Sequence, residues 1–359
     1  LEPIALCTLL LAGNRVGAWH EALCNMTSLE QLDLSENSVA ELPSAFTQLQ
    51  RLHTLILSDN HTVSAPPLAL ASLVVATLDG NSLGPMLPIP QCAPTTVGAA
   101  FPTLLQRIDL SFNPVSQLPA SVALLHTLTD INLSGCKLHE APDSLFALSA
   151  LTSLNLSHNS IARIPETVSQ LSNLQNLRLG DNALLSLPDG VCSLSRLKVL
   201  SLRCNAIRSL PDSLGSSSSL EILDVGANML TVLPDSLGRC TSLRELHAGG
   251  NCLTTLSQAF AGCMPSLQTL TLASNEFRGM PVCVGAASQL RFLDMSRNQL
   301  TELPGHLATC TSLDTLMVTA NRIVRVASDL AALSKLQELH LQFNALQSFD
   351  MPVGCWPNL

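Results

Sequence analysis

The sequence predicts an α/β repeat solenoid, in which a parallel β-sheet lines the concave face and short 3₁₀ or irregular turns form the convex face. Three observations predict this fold class. A leucine pattern recurs about every 23 residues through the 359 residues of the chain, an asparagine holds the same place in nearly every copy, and a proline often follows six residues later. A fixed period along a whole chain is typical of repeat architectures, which grow by stacking rather than as separate globular domains.

The Leu-x-Leu core of each copy predicts a short β-strand. The segments from Leu29 to Asn37 and from Leu151 to Asn159 show the pattern most clearly. Alternate residues of a strand point to the same face, so both leucines face the core and the residue between them faces solvent. One such strand cannot bury its apolar face alone, and therefore the copies are expected to stack in parallel.

Each strand leads to a pivot position that is asparagine in fourteen of fifteen copies and cysteine in one. An asparagine side chain has a donor and an acceptor, so it can pair with backbone groups of the turn that would otherwise be buried without partners. The pivots are Asn14, Asn37, Asn60, Asn81, Asn113, Cys136, Asn159, Asn182, Asn205, Asn228, Asn251, Asn275, Asn298, Asn321 and Asn344.

The part of each copy after the pivot predicts the outer side of the solenoid. Proline stands six residues after most pivots, for example at Pro211, and it suits an irregular segment because it fixes φ and has no N–H to donate. Beyond the proline, residues such as Leu145, Leu148 and Leu151 recur every third position. That spacing predicts a tight 3₁₀ turn rather than a long helix.

Taken together, Leu-x-x-Leu-x-Leu-x-x-Asn-x-Leu-x-x-Leu-Pro resembles the leucine-rich repeat family, and the resemblance covers residues 1–359 as one solenoid of about fifteen copies. The 23-residue copies that end in Leu-Pro are similar to the Ras-suppressor and Scribble type of intracellular scaffold. The resemblance implies a leucine-rich-repeat horseshoe that binds another protein or a peptide, with no catalysis and no cofactor in the repeats themselves.

Composition excludes several other classes of function. The net charge is −9 and no run of basic residues occurs, so nucleic acid is not expected as a partner. The charge-free segment from Ser82 to Gln106 contains five prolines, which argues against a membrane span. No nucleophile, base or metal-ligand motif is present, so we expect no enzyme activity, no metal and no small-molecule substrate.

The interval between Asn81 and Asn113 is nine residues longer than the repeat, which predicts a Pro-rich insertion near residues 84–102 on the outer side or an edge. Pro85 and Pro88 form a P-x-x-P pattern that an SH3-like groove would bind, although a plain surface loop is the simpler interpretation.

Both ends of the chain fall inside a copy without a polar cap, so we expect a fragment of a longer protein. The alternative is a compact cap formed by Trp356 with Pro352 and Pro357.

The twelve cysteines are dispersed, and Cys240 and Cys310 occupy positions held elsewhere by core leucines. This pattern favours free thiols and a cytoplasmic location. The N-x-S/T sequons at Asn25, Asn60, Asn132 and Asn155 weakly oppose it, but Asn60 is a pivot and should be buried.

The principal candidate binding surface lies in the last three copies, which collect aromatic, methionine, arginine and histidine side chains on or beside the exposed strand face. Aromatic, methionine and arginine residues are enriched at protein interfaces. The alternative is that one or both phenylalanines pack on a further repeat or cap. The candidate residues are Phe292, Arg297, Met317, His340 and Phe343.

Arg178 and Arg203, in adjacent copies, form a second candidate that would hold a carboxylate or phosphate of a partner. They are also consistent with a solvated patch that balances Asp181 and Asp224. The N-terminal third of the strand face is instead acidic, through Asp33, Glu36, Asp59 and Asp79.

The sequence therefore predicts a protein-recognition scaffold or adaptor of the cytoplasm. One alternative is the sensor or targeting domain of a larger signalling enzyme, such as a protein kinase, a GTPase-containing kinase or a Ser/Thr phosphatase. Another is a secreted or cell-surface receptor domain.

Overall fold

The computed structural model describes residues 6–64, 70–85, 104–349, 352 and 356. The chain divides into two compact units, Leu1–Arg178 and Leu179–Leu359. Both units are built from the predicted repeat, in which a three-residue strand, a turn and a short helix follow one another.

The first unit contains a parallel sheet in which each strand pairs with the next strand along the chain. The central residues face one another in register, for example Leu32 with Leu55. This register is the one expected from the leucine positions. The described strands are β1 (Thr8–Leu10), β2 (Gln31–Asp33), β3 (Thr54–Ile56), β4 (Val75–Thr77), β5 (Arg107–Asp109), β6 (Asp130–Asn132), β7 (Ser153–Asn155) and β8 (Asn176–Arg178).

The second unit repeats this arrangement, and its sheet strands also pair in parallel and in register. They are β9 (Val199–Ser201), β10 (Ile222–Asp224), β11 (Glu245–His247), β12 (Thr269–Thr271), β13 (Phe292–Asp294), β15 (Thr315–Met317) and β17 (Glu338–His340). Two further strands of two residues each, β14 (Glu302–Leu303) and β16 (Arg325–Val326), pair with one another after the pivots. An ion pair between the side chains of Arg325 and Glu302 connects them.

The outer side of the repeats is formed by short helices, as the leucine spacing predicts. Nine of these helices begin directly after a proline in an extended conformation. Two are single α-helical turns, α1 (Asp143–Phe146) and α2 (Asp189–Cys192). The 3₁₀ helices are Glu21–Asn25, Ser44–Gln48, Ala120–Leu124, Glu166–Gln170, Asp212–Ser216, Asp235–Arg239, Gln258–Gly262, Met264–Ser266, Val282–Ala286, Gly305–Thr309 and Ser328–Ala332.

The pivot asparagines form a hydrogen-bonded ladder between successive copies. Asn60, which is 4% exposed, illustrates the pattern. Its Nδ2 donates to the Leu57 carbonyl of its own copy at 3.1 Å and to the Leu34 carbonyl of the preceding copy at 2.8 Å, and its Oδ1 accepts from the Val39 N–H at 2.9 Å. This confirms the predicted role of the pivot, and it also shows that Asn60 connects two successive copies.

The residue immediately before every pivot lies in the left-handed region of backbone conformation, a feature that the sequence pattern did not predict. Four of these residues are glycine, and the others have φ between 51° and 56° although they carry side chains. Left-handed backbone is unfavourable for bulky residues such as Phe112 and Phe343. Because the position recurs in every copy, the turn that leads into the ladder requires it.

The expected insertion does not interrupt the strand pairing. Val75 of β4 pairs directly with Arg107 of β5 across the long interval. Residues 86–103, which include most of the insertion and of the P-x-x-P pattern, lie outside the described residues. No helix among the residues that the structure describes is long and apolar enough to cross a membrane.

Candidate functional site

Three strands of the second unit present the predicted surface residues on one face. Phe292 is the first residue of β13, while Met317 and His340 are the last residues of β15 and β17, and all three are half-buried. Met317 and His340 are direct neighbours in the strand register, and Phe292 lies diagonally from Met317. Diagonal neighbours in a sheet are within reach of aromatic and long side chains. These three residues therefore form a continuous surface.

Arg297 and Phe343 lie beside this surface rather than on it. Each occupies the left-handed position before a pivot, with φ of 54° and 56° respectively. Phe343 is 83% exposed, the highest exposure of any large hydrophobic residue among those described. Phe292 and Phe343 do not belong to neighbouring copies, because β15 lies between β13 and β17 in the sheet.

Histidine and glutamate side chains are paired on this face. His340 Nε2 lies 3.2 Å from Glu338 Oε2 on the same strand, and His247 Nε2 lies at the same distance from Glu245 Oε2. His247 Nδ1 also lies 3.2 Å from Thr271 Oγ1. Among the described residues, no group of three or more His, Cys, Asp and Glu side chains is placed to hold a metal ion.

Several Asp and Asn residues at the last strand position have a local structural role that sequence reasoning missed. Asp33 Oδ1, for example, accepts the Ser35 N–H at 2.9 Å, and the same bond recurs in both units. Such bonds from a side chain to the backbone two residues later stabilise turns. The residues that make them are Asp33, Asp109, Asn132, Asn155, Asp224 and Asp294.

The first unit has a polar depression of about 450 Å³ on its exposed sheet face, across β4 to β8. We name it the first-unit groove. Its floor is formed by strand backbone and by residues at the first and last strand positions, including Arg107, Asp109, Asp130 and Asn155. The predicted residue Arg178 lies at one end of it. Sequence reasoning identified Arg178 but not the groove around it.

The second predicted arginine, Arg203, lies in the other unit, and both arginine side chains are exposed. Phe112, in the first unit, is a further exposed aromatic residue that sequence reasoning overlooked. It is 63% exposed and occupies the same left-handed position as Phe343. Its position directly before the pivot Asn113 could have identified it from the sequence as an exposed residue.

Burial makes five of the described thiols poor nucleophiles. Desolvation raises the pKa of Cys136 and Cys263 to about 12, and the pKa of Cys240, Cys283 and Cys310 to about 11. A thiol must lose its proton before it reacts or binds a metal. These five buried thiols therefore act as small core residues, as their leucine-equivalent positions predict for Cys240 and Cys310.

Trp356, the residue of the predicted alternative cap, contacts the last described copies. Its Nε1 donates to the Leu330 carbonyl at 3.0 Å, and its ring centroid lies 6.1 Å from that of Phe349. Pro357 lies outside the described residues.

Known structures share this architecture. A leucine-rich-repeat protein of Leptospira interrogans is 26% identical, with a TM-score of 0.83, over 96% of this chain and 92% of its own. The Drosophila Toll–Spätzle complex contains a chain that is 28% identical, with a TM-score of 0.75, over 90% of this chain and 45% of that chain.

A third similar structure is the ectodomain of the Arabidopsis thaliana receptor kinase GASSHO1/SCHENGEN3, in complex with CASPARIAN STRIP INTEGRITY FACTOR 2. It is 28% identical, with a TM-score of 0.68, over 94% of this chain and 44% of that chain. The chain thus spans less than half the length of the insect and plant proteins.

Two models of the leucine-rich repeat match the sequence. One matches four overlapping segments within residues 126–277, and the other matches residues 28–49 and 289–310. Together these segments include more than half of the chain, and they coincide with strand, pivot and helix positions of the structure. The chain belongs to the leucine-rich repeat family.

Proposed function

We propose that this chain recognises a partner protein through the C-terminal strand face of its second unit. We define this C-terminal surface by Phe292, Arg297, Met317, His340 and Phe343. The observation that carries the proposal is the 83% exposure of Phe343 beside three strands that present Phe292, Met317 and His340 on one face. A phenylalanine held in strained backbone without burial contributes little to folding, whereas buried aromatic anchors contribute strongly to binding.

The similar structures support recognition as the general role. The plant ectodomain was solved in complex with CASPARIAN STRIP INTEGRITY FACTOR 2, and the Drosophila structure is a complex of Toll with Spätzle. For this chain we propose a cytoplasmic scaffold or adaptor of the Ras-suppressor and Scribble type, with no catalytic activity in the repeats. The second candidate is the recognition domain of a larger signalling enzyme, with the same surface in the same role.

The test begins with an affinity pull-down from the source organism, followed by measurement of the affinity for the recovered partner. Phe292→Ala combined with Phe343→Ala should weaken binding by at least about thirtyfold, because a buried aromatic anchor typically contributes about 2 kcal/mol or more. Both positions point out of the core, so the melting temperature should change little.

Phe112→Ala is the matched control, because Phe112 has the same exposed, left-handed position in the first unit. It should leave the affinity unchanged. Asp33→Ala with Asp59→Ala should mainly alter the association rate and its salt dependence. Full affinity in the double phenylalanine variant, together with loss in either control, would place the binding surface elsewhere.

A further inference from the structure

The last-position residues of four neighbouring strands form a row along the first-unit groove. Asp109, Asn132, Asn155 and Arg178 follow one another in the strand register. The row begins with a carboxylate and ends with a guanidinium group. With strands about 4.8 Å apart, the backbone positions of Asp109 and Arg178 are about 14 Å apart.

The two asparagines in this row look alike in the sequence but differ in their hydrogen bonding. Asn132 Oδ1 accepts the Ser134 N–H at 3.1 Å, and its Nδ2 donates to Asp109 Oδ2 at 2.9 Å. Asn155 Oδ1 accepts the Ser157 N–H at 3.0 Å, which fixes the orientation of its amide. Its Nδ2 has no acceptor among the described residues, so two N–H donors face the groove.

Two further donors lie beside the amide of Asn155. Arg178 is its register neighbour on β8, and Asn176 lies on the same face of β8, two residues before Arg178. Within the described part of the chain, neither side chain has a hydrogen-bond or ion-pair partner. The Arg178 guanidinium group, the Asn155 Nδ2 group and the Asn176 amide thus supply unpaired N–H donors at this end of the groove, as an anion requires.

We infer that Arg178, Asn155 and Asn176 bind the side-chain carboxylate of an aspartate or glutamate in an extended segment of a partner protein. A guanidinium group pairs with a carboxylate through two parallel hydrogen bonds, and the asparagine amides are placed to complete its coordination. A phosphate dianion fits less well, because Asp109 and Asp130 line the same groove. At the opposite end these two carboxylates outnumber the single guanidinium group of Arg107, so that end attracts a basic residue.

The groove thus selects a segment with a basic residue and an acidic residue about four positions apart, since an extended chain rises about 3.3 Å per residue. The inference rests on the proposed function in requiring a protein partner. It concerns a different surface in the other unit and requires no knowledge of the natural partner, so its failure is distinguishable from failure at the C-terminal surface.

The probe is the capped peptide Ser-Lys-Ser-Ser-Ser-Glu-Ser, together with its sequence reversal, because the groove admits either chain direction. Titration calorimetry with the full chain should show that the better of the two binds about tenfold more tightly than its Gln-for-Glu counterpart. On addition of the peptide, NMR should show shifts in the Asn155 side-chain amide and the Arg178 Nε–H.

Arg178→Ala should abolish the preference for glutamate over glutamine. Asn155→Asp should abolish it as well, and it should fold normally because aspartate makes the same turn bond at the equivalent positions Asp33, Asp109, Asp224 and Asp294. Arg107→Ala removes the same charge from the other side of the groove and should retain the preference.

Equal binding of the glutamate and glutamine peptides would overturn the inference, as would equal losses in the Arg107 and Arg178 variants. Tighter binding of a phosphoserine peptide than of the glutamate peptide would also overturn it, since the groove would then be a phosphate site.

Discussion

Asn205 connects two successive copies of the second unit through four hydrogen bonds. Its Oδ1 accepts from the Leu184 N–H at 2.9 Å. Its Nδ2 donates to the carbonyls of Leu202 at 2.9 Å, Leu179 at 3.0 Å and Arg203 at 3.3 Å. Asn205→Leu removes all four bonds while it keeps a side chain of similar size, so it isolates the contribution of the ladder.

The structure shows which of these backbone groups lose every partner. Each of the three carbonyls keeps a second donor. The Asn182 side chain donates to the Leu179 carbonyl, and the Asn228 side chain donates to the Leu202 carbonyl. The Asp181 N–H donates to the Arg203 carbonyl. The Leu184 N–H has no other acceptor among the described residues, and Leu184 is fully buried. An unsatisfied buried donor costs about 1–3 kcal/mol, and the weakened carbonyl pairing adds to it. We expect the free energy of unfolding to fall by about 2–4 kcal/mol.

Guanidinium unfolding followed by circular dichroism measures this change, and an unaltered slope would show that stability rather than compactness has changed. Hydrogen exchange at the Leu184 amide should accelerate most. Asn14→Leu is the matched control, because Asn14 is exposed and water can replace its bonds to Leu11 and Ala12. If Asn205→Leu unfolds at the wild-type midpoint, or if both variants lose the same stability, the ladder does not contribute as we describe.

Cys136→Asn should stabilise the chain by about 1 kcal/mol. In the preceding copy the Leu83 N–H donates to the pivot Asn113, whereas the thiol of Cys136 offers no oxygen to the equivalent Val115 N–H. A lower melting temperature of the variant would contradict this. Gly238→Ala should destabilise the chain by about 2 kcal/mol or more, because the new Cβ would lie 2.0 Å from the Ala259 carbonyl oxygen. Gly279→Ala is the control: its new Cβ meets no atom within 4 Å, so the melting temperature should change little. Stability should also fall as pH rises from about 9 toward 11 or 12, by about 1.4 kcal/mol per pH unit for each of the five buried thiols, because the unfolded chain then loses thiol protons that the folded chain keeps. Unfolding measured at pH 8 and pH 10 checks this. A variant with Cys240→Ala and Cys310→Ala should lose less stability over the same interval, and an equal decline would exclude these two thiols as a cause.

The repeat, the strand positions and the pivot ladder could be predicted because each follows from a pattern of side-chain types. Leu32 and Leu55 are buried in register because the period places them there, and the pivot needs a side chain that both donates and accepts. The left-handed residue before the pivot could not be predicted in the same way. It is a requirement on the backbone, and residues as different as Glu36, Ala227 and Phe343 satisfy it.

The first-unit groove was beyond prediction for a different reason. Asn132 and Asn155 are the same residue type at the same position of neighbouring copies, and both bond the turn two residues later. Only the structure shows that Asn132 Nδ2 donates a hydrogen bond to Asp109, whereas Asn155 Nδ2 has no acceptor among the described residues. Whether a repeated polar residue is available to a partner therefore depends on its neighbours across the sheet, which a single copy of the motif does not specify.

The division of roles within a repeat narrows the search for binding residues. Leucines and pivots stabilise the stack of copies. Many Asp and Asn residues at the last strand position accept a hydrogen bond that stabilises the following turn, so the recurrence of all these residues reflects folding. The N-terminal acidic stretch illustrates this, because Asp33 accepts bonds from both the N–H and the hydroxyl of Ser35. Phe292, Met317 and Arg178 occupy strand positions without such a turn bond. Their side chains are therefore free to vary without loss of the fold, and at such positions recognition can evolve independently of stability.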